Sequence, residues 1–344
     1  MILTPEFQRE VLDNINNIPI PEDLFFLDFV GAFQQTDKDA IQLNEAATVW
    51  EIAKMIPVGD KAEQSSYPVQ GAANVYKLGK LRRMMRLDKW FMHTSIYSKG
   101  SLTQLIEMQT KITNELRRRI NLLLADIITQ FKSISYTWDI DRFPDVDFGV
   151  DASMTETLAG TDRWNGGSSM NPAKDIGDMC RKIRIATGGA RGAKVPLQMV
   201  ISSACEAYLM DWFTSLTGDL LRTYQMTVDY VLREQSLPTT LWGLSKIIVT
   251  DGYYETVNLT TGATTSVRYS AENIAAIHPT NPAAFIKGYR GLTDEYNAAG
   301  NTYYPAVFSK VWVNNDPGTP HVVVEDKIGA ILSGIKKLGR IIAW

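Results

Sequence analysis

The chain has 344 residues, 45% hydrophobic and 21% charged, the balance of a folded protein long enough for one large domain or two ordinary ones around a sizeable core. Its 35 basic residues stand against 38 acidic ones, a net charge of -3, which excludes a global pull toward nucleic acid or an anionic membrane and leaves only local contacts. The opening MILTPEFQREVLDN lacks the basic region and apolar run of a signal peptide, and no stretch approaches the roughly 20 apolar residues that cross a bilayer, so a cytosolic origin without a membrane span is expected.

Residues 1–56 hold a short helix candidate, PEFQREVLDNI, a Pro-containing connector and the mixed segment DAIQLNEAATVWEIAKMIP. Apolar residues are too few there to close a core, which predicts an arm. The next piece, GDKAEQSSYPVQGAANVYKLGKLRRMMRLDKW, is interrupted by Gly59, Pro68, Gly71 and Gly79 and cannot be one regular element. Its second half, Val75 to Lys89, carries Lys77, Lys80, Arg82, Arg83, Arg86 and Lys89 with little acid among them. A long extended loop with a basic returning strand is predicted.

Residues 101–132, SLTQLIEMQTKITNELRRRINLLLADIITQFK, contain no Gly or Pro. Leu102, Leu105, Ile112, Leu116, Ile120, Leu123, Ile127 and Phe131 recur at helical spacing, and Ser101 with Gln104 forms a capping box. Such a helix is about 46 Å long at 1.5 Å per residue. The apolar spacing drifts instead of holding a heptad, which favours the spine of an elongated domain over a coiled coil.

The stretch WDIDRFPDVDFGVD places Asp139, Asp141, Asp145, Asp147 and Asp151 in one window. A calcium loop starting at Asp145 would have Asp147 and Glu156 in place, but Gly149 replaces an acid and β-branched Val150 sits where the loop must turn on Gly. With a period of two, Val146, Phe148 and Val150 share one face while Asp145, Asp147 and Asp151 share the other, the pattern of a half-buried strand. Paired acids for general acid and base chemistry need a cleft and a perturbed pKa, and the sequence supplies neither.

After a loop, LAGTDRWNGGSSMNPAKD, Asn171 caps and Pro172 starts a predicted helix reaching Gly188 and Gly189. Neither that loop nor TGGARGAKV has a phosphate-binding glycine pattern placed between a strand and a helix. VPLQMVIS reads as a strand; SSACEAYLMDWFTSL and GDLLRTYQMTVDYVLREQ read as helices. LSKIIVTDGYYETV, TTSVRYS and NIAAIHP follow as strands, with NLTTGATT as a hairpin turn, and FSKVWVNN and PHVVVEDK come last, joined by DPGTP. Helices and antiparallel strands alternate without a βαβ rhythm, so the predicted class is α+β. Cys180 and Cys205 fall in apolar helical patterns and read as buried thiols. With His93, His278 and His321 far apart, neither zinc nor a Cys-His nucleophile is expected. No catalytic, cofactor or metal site is assigned.

The order of these pieces resembles the lambda-like major capsid protein E family of tailed bacteriophages. The resemblance rests on MIPVGD and YPVQGAANVYKLGKL; on EMQTKITNELRRRI; on FPDVDFGV followed by Trp164, Pro172 and the Asp175-Ile176 pair; on PLQMVISSACEAYLMDWF; and on YPAVFSKVWVNNDPGTPHVVVEDKIGAIL. It implies the Hong Kong-type capsid fold, divided as an N-terminal arm (1–56), an extended loop (57–92), a peripheral domain with the spine helix (93–165), an axial domain (166–299), and a return to the peripheral domain with a C-terminal tail (300–344). It further implies a non-enzymatic shell protein of the virion, assembled in the host cytoplasm as hexamers and pentamers around double-stranded DNA that it encloses without sequence-specific binding. A separate scaffolding protein is implied because the arm is too short to include a fused scaffold, and a portal and a decoration protein are the other implied partners. Under this reading Lys77, Lys80, Arg82, Arg83, Arg86 and Lys89 contact a neighbouring subunit, ahead of a solvated face or DNA contact. An encapsulin-like nanocompartment shell is the first alternative, and a metal-dependent hydrolase built on Asp139 to Asp151 the second.

Overall fold

The computed structural model of the protein describes residues 18–22, 24–30, 33–38, 40–43, 74–86, 100–134, 145–186, 195–257, 261–269, 271–281, 285–292, 307–313, 320–332 and 337–344. The helix candidate at 5–15, most of the loop before Asn74, Lys89, His93, Asp139, Asp141, the glycine-rich 187–194 and the DPGTP turn before Pro320 lie outside the described residues, as do the side chains of Arg86, Ser101 and Gln104.

The longest apolar periodicity forms the longest element, helix α1 (Gly100–Gln130). Its two halves differ. Up to Ile120 the helix is one-sided: Ile112, Leu116 and Ile120 are buried while Glu107 and Lys111 are exposed. From Arg119 to Thr129 every residue is buried, because INLLLADIIT offers apolar side chains around the whole circumference. The polar residues in that half are bonded: Thr129 Oγ1 donates to Ala125 O at 2.7 Å, and Gln130 Nε2 donates to Asp126 Oδ1 at 3.2 Å.

Two sheets supply the enclosure. In the first, strand β15 (Pro320–Leu332) is the axis. Strand β4 (Gly79–Arg86) pairs antiparallel along one edge, from Arg86 opposite His321 to Gly79 opposite Ile328. Strands β14 (Phe308–Val313) and β13 (Ile286–Arg290) take successive stretches of the other. The two-residue β1 (Gln34–Gln35) adds in parallel to β13, and β2 (Ala40–Leu43) pairs with β3 (Asn74–Lys77) as a separate ribbon. The second sheet has the order β7 (Thr155–Thr157), β16 (Gly339–Ile342), β12 (Ile274–Pro279), β8 (Leu197–Ile201) and β9 (Lys246–Val249). Both β8 and β12 are buried along their full length, since both faces are covered. Met199, Ile201, Ala275 and Ile277 enter a core beneath helices α2 (Pro172–Ala186), α3 (Ser203–Ser215) and α4 (Gly218–Glu234), while Val200 and Ala276 enter the core around α1. The class is α+β, with a hairpin of β10 (Tyr253–Val257) and β11 (Thr264–Arg268) added.

Local signals fixed the helix starts. Asn171 Oδ1 accepts from Lys174 N at 3.2 Å with Pro172 in the first turn of α2, and Ser202 Oγ accepts from Cys205 N at the start of α3, also at 3.2 Å. Leu24, Phe26, Phe29 and Val30 are buried in the core around α1. A short 3-10 helix, Phe25–Phe29, buries Phe26 and Phe29 against α1. Arg117 Nη1 donates to the carbonyls of Ile18 and Pro19, both at 3.0 Å, and Asn121 Oδ1 accepts from Leu27 N at 3.2 Å. Gly288 in β13 gives this strap its path, because a side-chain carbon there would overlap Val30 Cγ1 and crowd the Phe33 ring.

Residues 339–342, near the C-terminus, form β16 between β7 and β12 in the second sheet. GRII is too short to declare itself by alternation, and its Gly339 is needed where a side chain would run into Met179.

Candidate functional site

Strand β4 divides the basic run between its two faces. Leu81 enters the core and Met85 packs against it. Arg83 lies on that face, where its Nε sits 3.3 Å from Glu115 Oε2 of α1. On the opposite face Lys80 Nζ is 2.9 Å from Glu325 Oε1, whose side chain is fully buried. Arg82 and Met84 are exposed beside it. Lys77 is exposed on β3. Arg86 pairs through its backbone with His321, and Lys89 lies outside the described residues. The structure therefore brings Lys80 and Arg82 to one strand face and turns Arg83 to the other.

The partner strand explains why β4 is basic. β15 runs VVVEDKI through the sheet and buries two consecutive acids, Glu325 and Asp326, on opposite faces. Burying a carboxylate without a cation is costly. Lys80 meets Glu325, and Arg290 of β13 meets Asp326 with two hydrogen bonds of 3.0 Å each. Arg290 also lies over the Phe33 ring, 5.0 Å from its centroid. The signal for Arg290 was the acid pair inside a valine run, which demands cations on neighbouring strands but does not say which ones.

In the acidic stretch the predicted alternation is present: Phe148 is buried, Val146 and Val150 are half-buried, and Asp145, Asp147 and Asp151 are exposed. The hydrogen-bonded strand is shorter than the pattern, with β6 (Val146–Asp147) pairing only β5 (Lys132–Ser133). Asp147 Oδ1 accepts from Gly149 N at 3.0 Å, and its Oδ2 is 3.2 Å from Lys132 Nζ. The Gly149 amide first, then Lys132, holds this carboxyl below its usual range. Asp151 Oδ1 accepts from Ser153 N at 2.8 Å and caps a short 3-10 turn. Each of these two acids thus has a local structural partner. Among the described residues no group of three His, Cys, Asp or Glu side chains converges on a common point.

Cys180 and Cys205 are buried in the second core, which pushes their thiols up to about 11 and about 12. They stay protonated and unreactive at neutral pH. His278 is fully buried between the rings of Phe29 and Phe285, with centroids 5.0 Å from each, and its Nδ1 lies 3.0 Å from Pro279 O. Since that carbonyl can only accept, Nδ1 carries the proton, and burial, which pushes the pKa down to about 4, keeps the ring neutral at pH 7.

No family model and no curated protein matches the sequence. Solved structures match the fold. A phage-related protein from Bordetella bronchiseptica RB50 is 13% identical with a TM-score of 0.58, over 97% of this chain and 95% of that one. The capsid of cyanophage P-SCSP1u is 12% identical with a TM-score of 0.56, over 93% and 88%. The mature capsid of bacteriophage PhiM1 is 13% identical with a TM-score of 0.53, over 91% and 86%. At these identities the likeness is one of fold, and it spans almost the entire chain. The protein has the Hong Kong-type capsid fold.

Proposed function

We propose that many copies of this chain form the icosahedral head shell of a tailed phage or prophage, as hexamers and pentamers around double-stranded DNA, without catalysis. The observation that carries this reading is the match to phage capsid folds over more than nine tenths of the chain. Heterologous contacts that close on themselves build such shells from one kind of subunit. The lambda-like protein E family is the closer relationship inferred from the sequence motifs. Residues 1–56 serve as the arm, 57–92 as the extended loop, 93–165 as the peripheral domain with the spine helix, 166–299 as the axial domain, and 300–344 as the return to the peripheral domain with the C-terminal tail. The protein resides in the virion after assembly in the host cytoplasm, with a separate scaffolding protein, a portal and a decoration protein as partners.

Within this reading the basic residues Lys77, Lys80, Arg82, Arg83, Arg86 and Lys89 form the side of a contact with a neighbouring subunit. The exposed members Lys77 and Arg82 make the approach, while Lys80 and Arg83 hold β4 in place through Glu325 and Glu115. Exposed apolar side chains on α4, including Leu220 and Met226, are a second feature in keeping with burial between subunits.

Negative-stain microscopy of the chain co-expressed with its scaffold tests the proposal. Closed shells of uniform size are the expected result. Protein that stays monomeric across salt and concentration, with no shells, rejects it.

A further inference from the structure

Helix α1 has no basic residue in its last turn, where a cation would offset the negative end of its dipole and bond its terminal carbonyls. The cation arrives from 210 positions further along the chain. Arg340 Nη1 donates to Gln130 O at 2.9 Å, its Nε donates to Thr155 Oγ1 at 3.1 Å, and its guanidinium lies 4.9 Å from the centroid of the Phe131 ring. Phe131 is the residue by which the chain leaves the helix. Its φ of 60° is left-handed, a conformation ordinarily given to Gly at this position.

The contacts continue into the acidic stretch. Phe131 O accepts from Phe148 N at 3.3 Å, and Lys132, the next residue, pairs with Asp147. Asp147 also acts on Arg340 through its charge: burial lowers the guanidinium's pKa and the carboxylate opposes that. Arg340 itself belongs to β16, opposite Ala276 of β12 and Thr155 of β7, in the second sheet. One side chain thus joins the end of the spine helix, its left-handed exit and the acidic turn to a different sheet. A guanidinium suits this place because it offers separate donors at fixed angles and a flat face for a ring, which an ammonium does not.

We propose that Arg340 is a latch that fixes the C-terminal end of the spine helix, with the acidic turn behind it, to the second sheet, and so sets the angle between that helix and the sheet. That this angle sets the curvature of an assembled shell rests on the shell reading above.

The test is amide hydrogen exchange on the full-length chain, followed by measurement of shell diameters. In Arg340→Met, which keeps the stem and removes the donors, amides of the last turn of α1 and of Phe148 should exchange at least tenfold faster, while those of β8 and β12 keep their wild-type rates. Arg340→Lys should fall between, because charge is kept and the fork and flat face are lost. Shells of Arg340→Met should spread over several diameters.

Unchanged exchange at the helix end overturns the latch, and so does faster exchange of equal size throughout the second sheet, which would report only lost stability. If Arg340→Met does not fold, Arg340→Lys decides: exchange identical to wild type overturns the proposal, and local acceleration supports it. Local acceleration with shells of unchanged, single diameter overturns the curvature step alone. Failure of the wild-type chain to form shells would reject the shell reading and leave the exchange result to decide the latch.

Discussion

Asp326 is 1% exposed in the middle of β15, and both of its oxygens take hydrogen bonds from Arg290. Desolvation raises its pKa, and Arg290 pulls the other way. Arg290→Met would leave a buried carboxylate without its cation, a change that costs about 3–5 kcal/mol. Adding Asp326→Leu should return most of that loss, as read by urea unfolding at pH 7. The deficit of the single variant should shrink as pH falls, because the carboxyl can escape by taking a proton; a pH-independent deficit would show that Asp326 is not held as described. His278 gives a second dependence on pH. Burial pushes its imidazole down to about 4 from 6.5, so between these values the unfolded chain binds a proton that the folded chain refuses. Its contribution is fully present above about pH 6.5 and is lost as pH falls toward 4, by about 3 kcal/mol in all at 1.36 kcal/mol per unit. In His278→Leu the fall in unfolding free energy over that window should be smaller by this amount; an identical slope in both proteins would mean that the ring is solvated.

At the scale of elements, helix α1 is exposed on one side in its first half and enclosed in its second, so substitutions should divide the same way. Ile120 is 3% exposed at the junction. Ile120→Asp buries an unpaired charge and should cost several kcal/mol, enough to abolish folding. A soluble variant with a cooperative melt would show that the helix is not enclosed there. The strap answers to a different residue. Gly288→Ala adds a carbon into Val30 and Phe33, an overpacking of about 1–3 kcal/mol. The strap should yield before the strands do, because its strand pairing is only two residues long. Limited proteolysis should then cut near residues 30–38 in Gly288→Ala while the wild type resists; equal resistance would place the strap elsewhere.

For the whole molecule the prediction concerns assembly. Reversing Arg82, Arg83 and Arg86 to Glu places like charges at Arg83 and Glu115, a half-exposed pair whose loss is worth about 1 kcal/mol or less. The strand should survive, since β4 is bonded to β15 along its length and Leu81 anchors it. A cooperative melt lowered by a few degrees is therefore expected, together with loss of shells, because a weak contact repeated by every subunit multiplies. Raised salt should weaken wild-type assembly in the same direction. Normal empty shells with little DNA would favour contact with the genome instead, and normal filled shells would remove the basic strand from both roles.

The residues by themselves determined the elements whose signals are local. The spine helix follows from a run without Gly or Pro, α2 from the Asn171 cap with Pro172, and the face pattern of Val146, Asp147 and Phe148 from a period of two. The need for cations was also legible, since β15 carries Glu325 and Asp326 inside a valine run. What only the tertiary structure decided is which partner answers each need. Arg290 and Arg340 are ordinary basic residues until the chain brings β13 beside Asp326 and β16 beside the end of α1, and a two-residue strand or a Gly in the middle of IKGYR has no periodicity to announce it. Such contacts join residues tens to hundreds of positions apart, and their energy exists only after the sheets have enclosed the helix and excluded water from its polar ends.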